Sequence, residues 1–117
     1  GACVVALGSH ATAVMSNSSK LAYDLISSGE KTGDRAWQLP LWKEYHEQIT
    51  SNVAEIANCG VGGAGSITAG AFLEKFIDSN QNWAHLDIAG SSCKYSGKDR
   101  SCNGRPLPLL IDYLMKQ

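Results

Sequence analysis

The feature that most restricts the fold is a glycine cluster at residues 60–65, which leads into a strongly patterned segment. Four of these six positions are glycine, so a regular helix or strand is disfavoured there. After Ser66, apolar side chains recur at the spacing of one helical face, namely Ala69, Phe72, Leu73, Phe76 and Ile77. We therefore predict a glycine turn followed by a helix that Ser66 caps and that covers another layer.

Short apolar runs elsewhere predict strands. The Val-rich run at residues 2–7 is predicted to be a buried strand, and residues 12–15 and 83–89 are predicted to be two more. Residues 53–58 fit either a strand or a helix, and we favour the strand. The polar stretch at residues 90–104 is predicted to be a loop.

Three further helices are predicted from capping and proline signals. The first begins at Ser18 or Ser19 and ends at Gly29. The second is opened by Pro40 after an extended link, and the last begins at Pro106. Strands that alternate with covering helices are typical of an α/β layer architecture.

Size and charge limit the classes of function. The chain has 117 residues, which suits one domain or part of one, and it carries ten basic against eleven acidic residues. This balance gives no electrostatic basis for nucleic acid or an anionic membrane as the main partner. No apolar run approaches the roughly 20 residues of a membrane-spanning helix, so we expect a soluble protein that acts on small molecules or peptides.

Gly60, Gly62 and Gly65 match the G-x-G-x-x-G pattern, and Asp87 follows about 20 residues later. In a dinucleotide site, such a turn presents backbone N–H groups to a pyrophosphate, and the carboxylate binds a ribose hydroxyl. Glu55 in the preceding segment and a strand that continues past Asp87 argue against this interpretation. The alternative is a glycine turn needed only for close packing, and the residues alone leave both open.

Histidines give weak signals for a metal site or for acid–base chemistry. His46-Glu47 resembles the start of the zinc motif H-E-x-x-H, but Thr50 stands where the second histidine is needed. His85 and Asp87 share one face of a predicted strand. They form either an acid–base or metal-binding pair or a structural couple held by hydrogen bonds.

The four cysteines fall into two groups. Cys3 and Cys59 are expected to pack as small hydrophobic side chains. Cys93 and Cys102 lie in one polar stretch, where they can pair or hold a metal, although no C-x-x-C spacing supports a metal site.

Arg35 and Arg105 each stand in a short, conformationally restricted stretch. A guanidinium there can join loops through backbone carbonyls or a carboxylate. Binding of a substrate carboxylate is the alternative role.

Five stretches in a fixed order together resemble a known peptidase family. They are residues 1–8 (GACVVALG), 28–40 (SGEKTGDRAWQLP), 65–73 (GSITAGAFL), 83–90 (WAHLDIAG) and 103–106 (NGRP). In combination they are similar to the leucyl aminopeptidases, also called cytosol aminopeptidases, along the whole chain.

The resemblance implies an α/β fold with a central mixed sheet covered by helices, and residues 1–117 would form the C-terminal portion of a zinc-exopeptidase-like catalytic domain. It also implies a homohexameric cytoplasmic enzyme that removes leucine-like N-terminal residues from peptides with two divalent ions, zinc or manganese. The family's metal ligands, catalytic lysine and Asn-Thr-Asp-Ala-Glu-Gly-Arg motif are expected upstream of Gly1. No residue here is therefore assigned a catalytic or metal-binding role, and the chain is expected to need the remainder of the enzyme for activity.

The same resemblance assigns substrate contacts to four positions. Gly1 matches the glycine that ends the family's Thr-Leu-Thr-Gly turn, whose backbone lies along the substrate. Ala89 and Ser92 match positions that line the pocket for the N-terminal side chain, and the family is often more apolar at Ser92. The loop from Asn58 to Gly63 is expected to edge the site for the next residue of the peptide. The resemblance also favours a packing role for the glycine turn.

Overall fold

The computed structural model describes residues 1–96 and 98–117. Within them the elements follow the order α1 (Ala2–Leu7), β1 (Thr12–Ser16), α2 (Ser19–Thr32), β2 (Ala36–Gln38), α3 (Lys43–Glu47), α4 (Gly65–Glu74), β3 (Ala84–Asp87), β4 (Cys93–Ser96), β5 (Asp99–Cys102) and α5 (Leu107–Met115). None of the helices in these described ranges is long and apolar enough to cross a bilayer.

A three-stranded sheet in the order β2-β1-β3 forms the centre of the fold. Strand β1 runs parallel to β2, with Thr12 opposite Ala36, and antiparallel to β3, with Met15 opposite His85. The predicted central mixed sheet is therefore confirmed. Because β1 is buried on both faces, its central residues Ala13, Val14 and Met15 are all apolar and do not alternate with polar residues.

One face of the sheet is covered by α2 and α5. Val14 of β1 packs there with Leu25 of α2 and Leu109 of α5, and all three side chains are buried. On the opposite face, Ala13 and Met15 pack with Cys3 of α1. The sheet therefore lies between two helical layers, as the alternation of strands and helices predicted.

Helix α2 shows how local signals set the ends of an element. The hydroxyl of Ser18 accepts a hydrogen bond from the Leu21 N–H at 3.3 Å, which confirms the predicted start. The predicted end at Gly29 is wrong, because the helix continues to Thr32 and is capped by Gly33, which takes a left-handed conformation with φ of 74°. Gly29 is buried inside the helix, where an added Cβ would lie 2.6 Å from the Asp34 carbonyl oxygen.

Residues 2–7 form helix α1, so the predicted strand is wrong. An apolar run of this length fits a short helix as well as a strand. The helix buries Cys3 and leaves Val5 90 % exposed, and it ends at Gly8, whose N–H donates to the Val4 carbonyl at 2.8 Å.

Three other predicted elements differ from the structure. Residues 53–58 form bends rather than a strand, and the predicted polar loop at 90–104 contains the β4–β5 hairpin. The helix after the glycine turn begins at Gly65 with Ala64 as its N-cap, so Ser66 does not cap it. The predicted strand within residues 83–89 and the last helix after Pro106 are confirmed as β3 and α5.

Replacement of Leu109 by alanine should lower the free energy of unfolding by about 2–5 kcal/mol, because it leaves a cavity between α2, α5 and β1. Leu109 is 0 % exposed, whereas Leu114 of the same helix is 64 % exposed. Leu114→Ala is therefore the matched control and should have little effect. Urea denaturation followed by tryptophan fluorescence measures both variants, and equal losses would contradict the assignment of the core.

Candidate functional site

Helix α1 packs the start of the chain against the segment that follows β3. The Cys3 thiol donates to the Asp87 carbonyl oxygen at 3.7 Å. Burial, assisted by the negative charge of Asp87, raises the pKa of the Cys3 thiol, so this thiol stays protonated. A side chain at Gly90 would collide with the backbone carbonyl of Gly8. Backbone segments at the end of α1 and after β3 are therefore in direct contact.

The glycine turn packs on the other end of α1. A Cβ added to Gly65 would lie 2.9 Å from the Cβ of Ala2, and one added to Gly60 would lie 2.7 Å from the Thr68 side chain. Ala64 has a φ of 55° and accepts the first hydrogen bonds of α4 through its carbonyl. Glycine is thus required at residues 60 and 65 because neighbouring atoms leave no room for a side chain.

Two of the four predicted substrate residues flank α1. Gly1 is exposed and is the N-cap of this helix, next to the Ala2–Gly65 contact. Ala89 is exposed in the segment between Asp87 and Gly90, both of which pack against α1. Packing against helix α1 therefore fixes the position of Gly1 relative to Ala89.

The other two predicted residues lie at the ends of this surface. Ser92 is half-buried, and its N–H donates to the Ile88 carbonyl at 3.0 Å, which closes a turn after β3. Asn58 is exposed and lines a cavity of about 180 Å³ with Gly60 and Gly65. Contact of any of the four with a substrate stays a prediction.

A larger open cavity lies between α1 and the start of α4. Its volume is about 410 Å³, and its lining includes Ala2, Val5 and Ala6 of α1 together with residues 63–67. The wall from α1 is apolar, whereas the other wall is backbone-rich because it contains two glycines. This cavity can accept apolar groups on one side and backbone contacts on the other.

Asp87 fixes the backbone next to Ala89. Its carboxylate accepts a hydrogen bond from the Ala89 N–H at 3.1 Å. His85, two residues earlier, is half-buried and lies parallel to the Trp83 ring at a centroid distance of 6.3 Å. Burial lowers the pKa of His85, and the nearby Asp87 charge opposes this shift. These separate partners favour the structural interpretation of both side chains.

Arg105 joins three segments through its guanidinium. Nε donates to the buried Asp34 carboxylate, Nη2 donates to the Arg35 carbonyl at 2.9 Å, and Nη1 donates to the Ser9 carbonyl at 3.4 Å. The other Asp34 oxygen accepts from the Leu109 N–H in the first turn of α5 at 3.4 Å. The predicted structural role is confirmed for Arg105, whereas Arg35 takes part through its carbonyl.

Histidine and acidic side chains do not gather into a metal site within residues 1–96 and 98–117. No group of three or more His, Cys, Asp or Glu side chains there is close enough to share an ion. His46, from the incomplete zinc motif, instead pairs with Glu74 at 3.0 Å and so joins α3 to α4. The described residues therefore do not fit a two-metal centre by themselves.

The predicted packing of Cys3 and Cys59 as small hydrophobic side chains is confirmed for only one of them. Cys3 is buried, but Cys59 is exposed on the glycine loop, so its predicted packing as a hydrophobic side chain is wrong. The Sγ atoms of Cys93 and Cys102 lie 3.2 Å apart across the β4–β5 hairpin.

The sequence profile of the cytosol aminopeptidase family, catalytic domain, matches residues 1–111. The chain belongs to the cytosol aminopeptidase family. The matched range contains α1, the glycine turn and β3.

Relatives in this family resemble the chain along its whole length. A probable cytosol aminopeptidase of Tolumonas auensis is 55 % identical over 117 residues, and one of Thioalkalivibrio sulfidiphilus is 53 % identical over 117 residues. A solved structure of a tomato leucine aminopeptidase mutant matches 100 % of the chain with a TM-score of 0.90 and 31 % identity. The chain spans 23 % of the length of each of these three proteins.

Two residues that hold these segments in place, Asp34 and Asp87, were not predicted to do so from the sequence. Asp34 stands beside Arg35 in a short link, and nothing local indicates that its partner lies in Arg105. Asp87 was assigned to a strand face, but its carboxylate turns back to the Ala89 N–H two residues later. The short-range tendency of aspartate to bind a following backbone N–H is the signal that identifies the second.

Replacement of Arg105 by lysine should lower the free energy of unfolding by about 1–3 kcal/mol, because lysine keeps the charge but loses the planar fork that reaches Asp34 and two carbonyls. The control is Lys20→Ala, since Lys20 forms an exposed ion pair with Asp24 within α2. This control should leave the unfolding midpoint in urea unchanged. An Arg105→Lys midpoint equal to that of the wild type would contradict the structural role.

Replacement of His85 by glutamine should reduce the loss of stability on acidification. The folded protein favours the neutral ring, so the unfolded chain binds a proton more readily, and stability falls as the pH drops through the ordinary histidine value of about 6.5 towards the lowered pKa. Urea titrations at several values between about pH 5 and pH 7.5 measure the effect. Parallel curves for the wild type and the variant would show that burial of His85 does not disfavour its charge.

Proposed function

We propose that this chain is the C-terminal part of the catalytic domain of an aminopeptidase that releases leucine-like N-terminal residues from peptides. In this proposal the chain forms one wall of the substrate cleft. The contact of α1 with the segment after β3 carries the proposal, because it holds the helix that starts at Gly1 against the segment that contains Ala89. The family match over residues 1–111 supplies the class of reaction.

The proposed pocket for the N-terminal side chain lies beside Ala89 and Ser92. A methyl group at residue 89 leaves room for a branched aliphatic side chain, and the hydrogen bond from the Ala89 N–H to Asp87 holds that methyl group in place. The Ser92 hydroxyl makes part of the pocket polar. Gly1 would contact the substrate backbone, and Asn58 would contact the residue after the cleaved bond.

Chemistry at the cleaved bond requires groups from outside this chain. Two divalent ions, zinc or manganese, would polarise the carbonyl and activate a water molecule when bound. No cluster that can hold such ions is present in the described parts of the chain, so we assign it no metal ligand. We also propose that the catalytic residues lie in the remainder of the enzyme. Its residues orient the substrate and shape the pocket.

The remainder of the enzyme is therefore the first partner that we propose. The chain spans 23 % of the length of its relatives, and large apolar side chains such as Val5, Trp37 and Trp42 are exposed. We further propose a homohexamer in the cytoplasm, and the relatives' names, which include the word cytosol, support this location. The nearly neutral charge gives no reason to propose a nucleic acid or membrane partner.

The alternative function as a small dinucleotide-binding module receives no support. Within residues 51–64, all of which are described, bends and irregular backbone occupy the place of the strand that should precede such a glycine loop. Gly60 and Gly65 are explained by contacts with Thr68 and Ala2.

The 117-residue chain alone should not hydrolyse leucine p-nitroanilide, even with added manganese or zinc, whereas the full-length enzyme should do so. Release of p-nitroaniline, followed by absorbance, measures both. Removal of the metal from the full-length enzyme with a chelator should abolish turnover, and manganese should restore it. Metal-dependent turnover by the isolated chain would refute the proposed division of roles.

In the full-length enzyme, Ala89→Leu should lower kcat/KM for leucine p-nitroanilide by about 10–100-fold relative to alanine p-nitroanilide, because the larger side chain fills the pocket. Ala54→Leu is the matched control, since Ala54 is exposed in the bends at residues 52–56. The control should retain the wild-type ratio of the two substrates. An unchanged substrate ratio for Ala89→Leu would show that Ala89 does not line the pocket.

A further inference from the structure

Two thiols face each other at the base of the β4–β5 hairpin. Cys93 and Cys102 are partners in its antiparallel register, and their Sγ atoms lie 3.2 Å apart. The sulfur atoms of a disulfide are about 2.0 Å apart, so these two need to approach by only roughly 1 Å. The pair is placed for a covalent bond that requires little movement of the backbone.

The backbone pairing at this position suits a cross-strand disulfide. The Asn103 N–H donates to the Ser92 carbonyl at 2.9 Å, so one ladder hydrogen bond joins residues 92 and 103, while the Ser92 N–H is bound to the Ile88 carbonyl. Cys93 and Cys102 come next along the ladder, at the alternate position without direct hydrogen bonds, where Cα atoms are about 4.5 Å apart. Disulfides span Cα separations of about 4.4–6.8 Å, so the separation typical of this ladder position lies at the short end of their range.

The hairpin base is also joined to the sheet and to the proposed pocket. The Ser92 hydroxyl donates to the Cys93 sulfur at 3.5 Å. Beside it, the Asn103 side-chain amide donates to the Ser91 carbonyl at 2.7 Å, and the buried Ser91 and Thr12 hydroxyls are 2.7 Å apart. A change at the two sulfurs therefore acts directly on Ser92, while Ser91 holds the neighbouring backbone to β1.

We propose that Cys93 and Cys102 form a reversible thiol–disulfide pair, and that its oxidation fixes the hairpin base and repositions Ser92. The consequence for substrate binding rests on the proposed peptidase function. Formation of the bond does not, because it depends only on the two sulfurs and an oxidant.

The oxidant that we propose is a small-molecule disulfide such as oxidised glutathione. One thiol of the pair loses its proton to solvent. The resulting thiolate attacks one sulfur of oxidised glutathione and expels the other as a glutathione thiolate. The second cysteine, also deprotonated, then attacks the protein sulfur of this mixed disulfide and expels the second glutathione thiolate. The protein loses two electrons and two protons, and one oxidised glutathione becomes two reduced molecules.

The exposure of Cys102 allows the oxidant to reach the pair. The hydrogen bond with Cys93, and then the charge of Cys93, raise the pKa of the Cys102 thiol. Less Cys102 thiolate is present at neutral pH as a result, so oxidation should become faster as the pH rises.

The bond is tested in the full-length enzyme by equilibration with mixtures of oxidised and reduced glutathione, blocking of remaining thiols and digestion with trypsin. Cleavage after Lys94, Lys98 and Arg100 separates Cys93 from Cys102, so the two peptides stay together only if a disulfide joins them. We expect the linked peptide to increase with the oxidised fraction and to disappear in Cys102→Ser. Cys59→Ser is the matched control and should retain it. Absence of the linked peptide in excess oxidised glutathione would overturn the proposal.

The coupling to the pocket is tested with the same samples and leucine p-nitroanilide. Oxidation should change KM by about fivefold in the wild type and in Cys59→Ser, and should leave KM of Cys102→Ser unchanged. A wild-type KM that does not respond while the linked peptide forms would overturn the coupling to Ser92. An enzyme that forms the linked peptide but never cleaves the substrate would refute the peptidase function and leave the thiol pair established.

Discussion

The ion pair between the buried Asp34 and the half-buried Arg105 is the interaction on which the arrangement of the helices depends. Arg105 reaches the carboxylate from the turn before α5, and it also binds backbone carbonyls at Ser9 and Arg35. The second carboxylate oxygen accepts from the N–H of Leu109, a residue of the apolar core. One acidic side chain thus fixes the start of α5 and the entry to β2, and it places a negative charge near the N-terminus of a helix, where the helix dipole favours it.

The proposed cleft wall depends on a second contact, that of α1 with the end of β3. Cys3 is a small apolar side chain that fits between Ala13 and Met15 of β1, and its thiol reaches the Asp87 carbonyl. Asp87 in turn uses its carboxylate to hold the Ala89 backbone. A chain of short-range contacts therefore leads from the centre of the sheet, through the half-buried Asp87, to the residue that we propose faces the substrate.

The sequence predicted the layers of this fold better than their edges. Three signals depend only on neighbours within a few residues, namely the run at residues 12–15, the cap at Ser18 and Pro106. They correctly predicted β1, the start of α2 and α5. Residues 2–7 were misassigned because six apolar residues suit either kind of element, and the choice is made by packing against Ala13 and Met15. The β4–β5 hairpin was missed because its strands are polar, and cross-strand pairing rather than hydrophobic alternation defines them.

Only the resemblance to a known family predicted the residues of the candidate site from the sequence. Spacing alone favoured a nucleotide loop as one of two interpretations, because the glycines at 60, 62 and 65 satisfy its pattern. A packing turn is distinguished from a nucleotide loop by the atoms that would collide with a side chain at each glycine. At Gly60, for example, an added Cβ would collide with the Thr68 side chain. That information depends on tertiary contacts between α4, α1 and the loop, which no local pattern contains.

The backbone contact between Gly8 and Gly90 has a consequence for how specificity can change in such a protein. Side chains that border a binding pocket usually also set the spacing of its walls, so each substitution alters shape and position together. Here the spacing is determined by main-chain atoms, because neither residue has a side chain between the two segments. In the pocket that we propose, substitutions at residues 89 and 92 can therefore change its size and polarity while the contact between Gly8 and Gly90 keeps the two segments at the same distance.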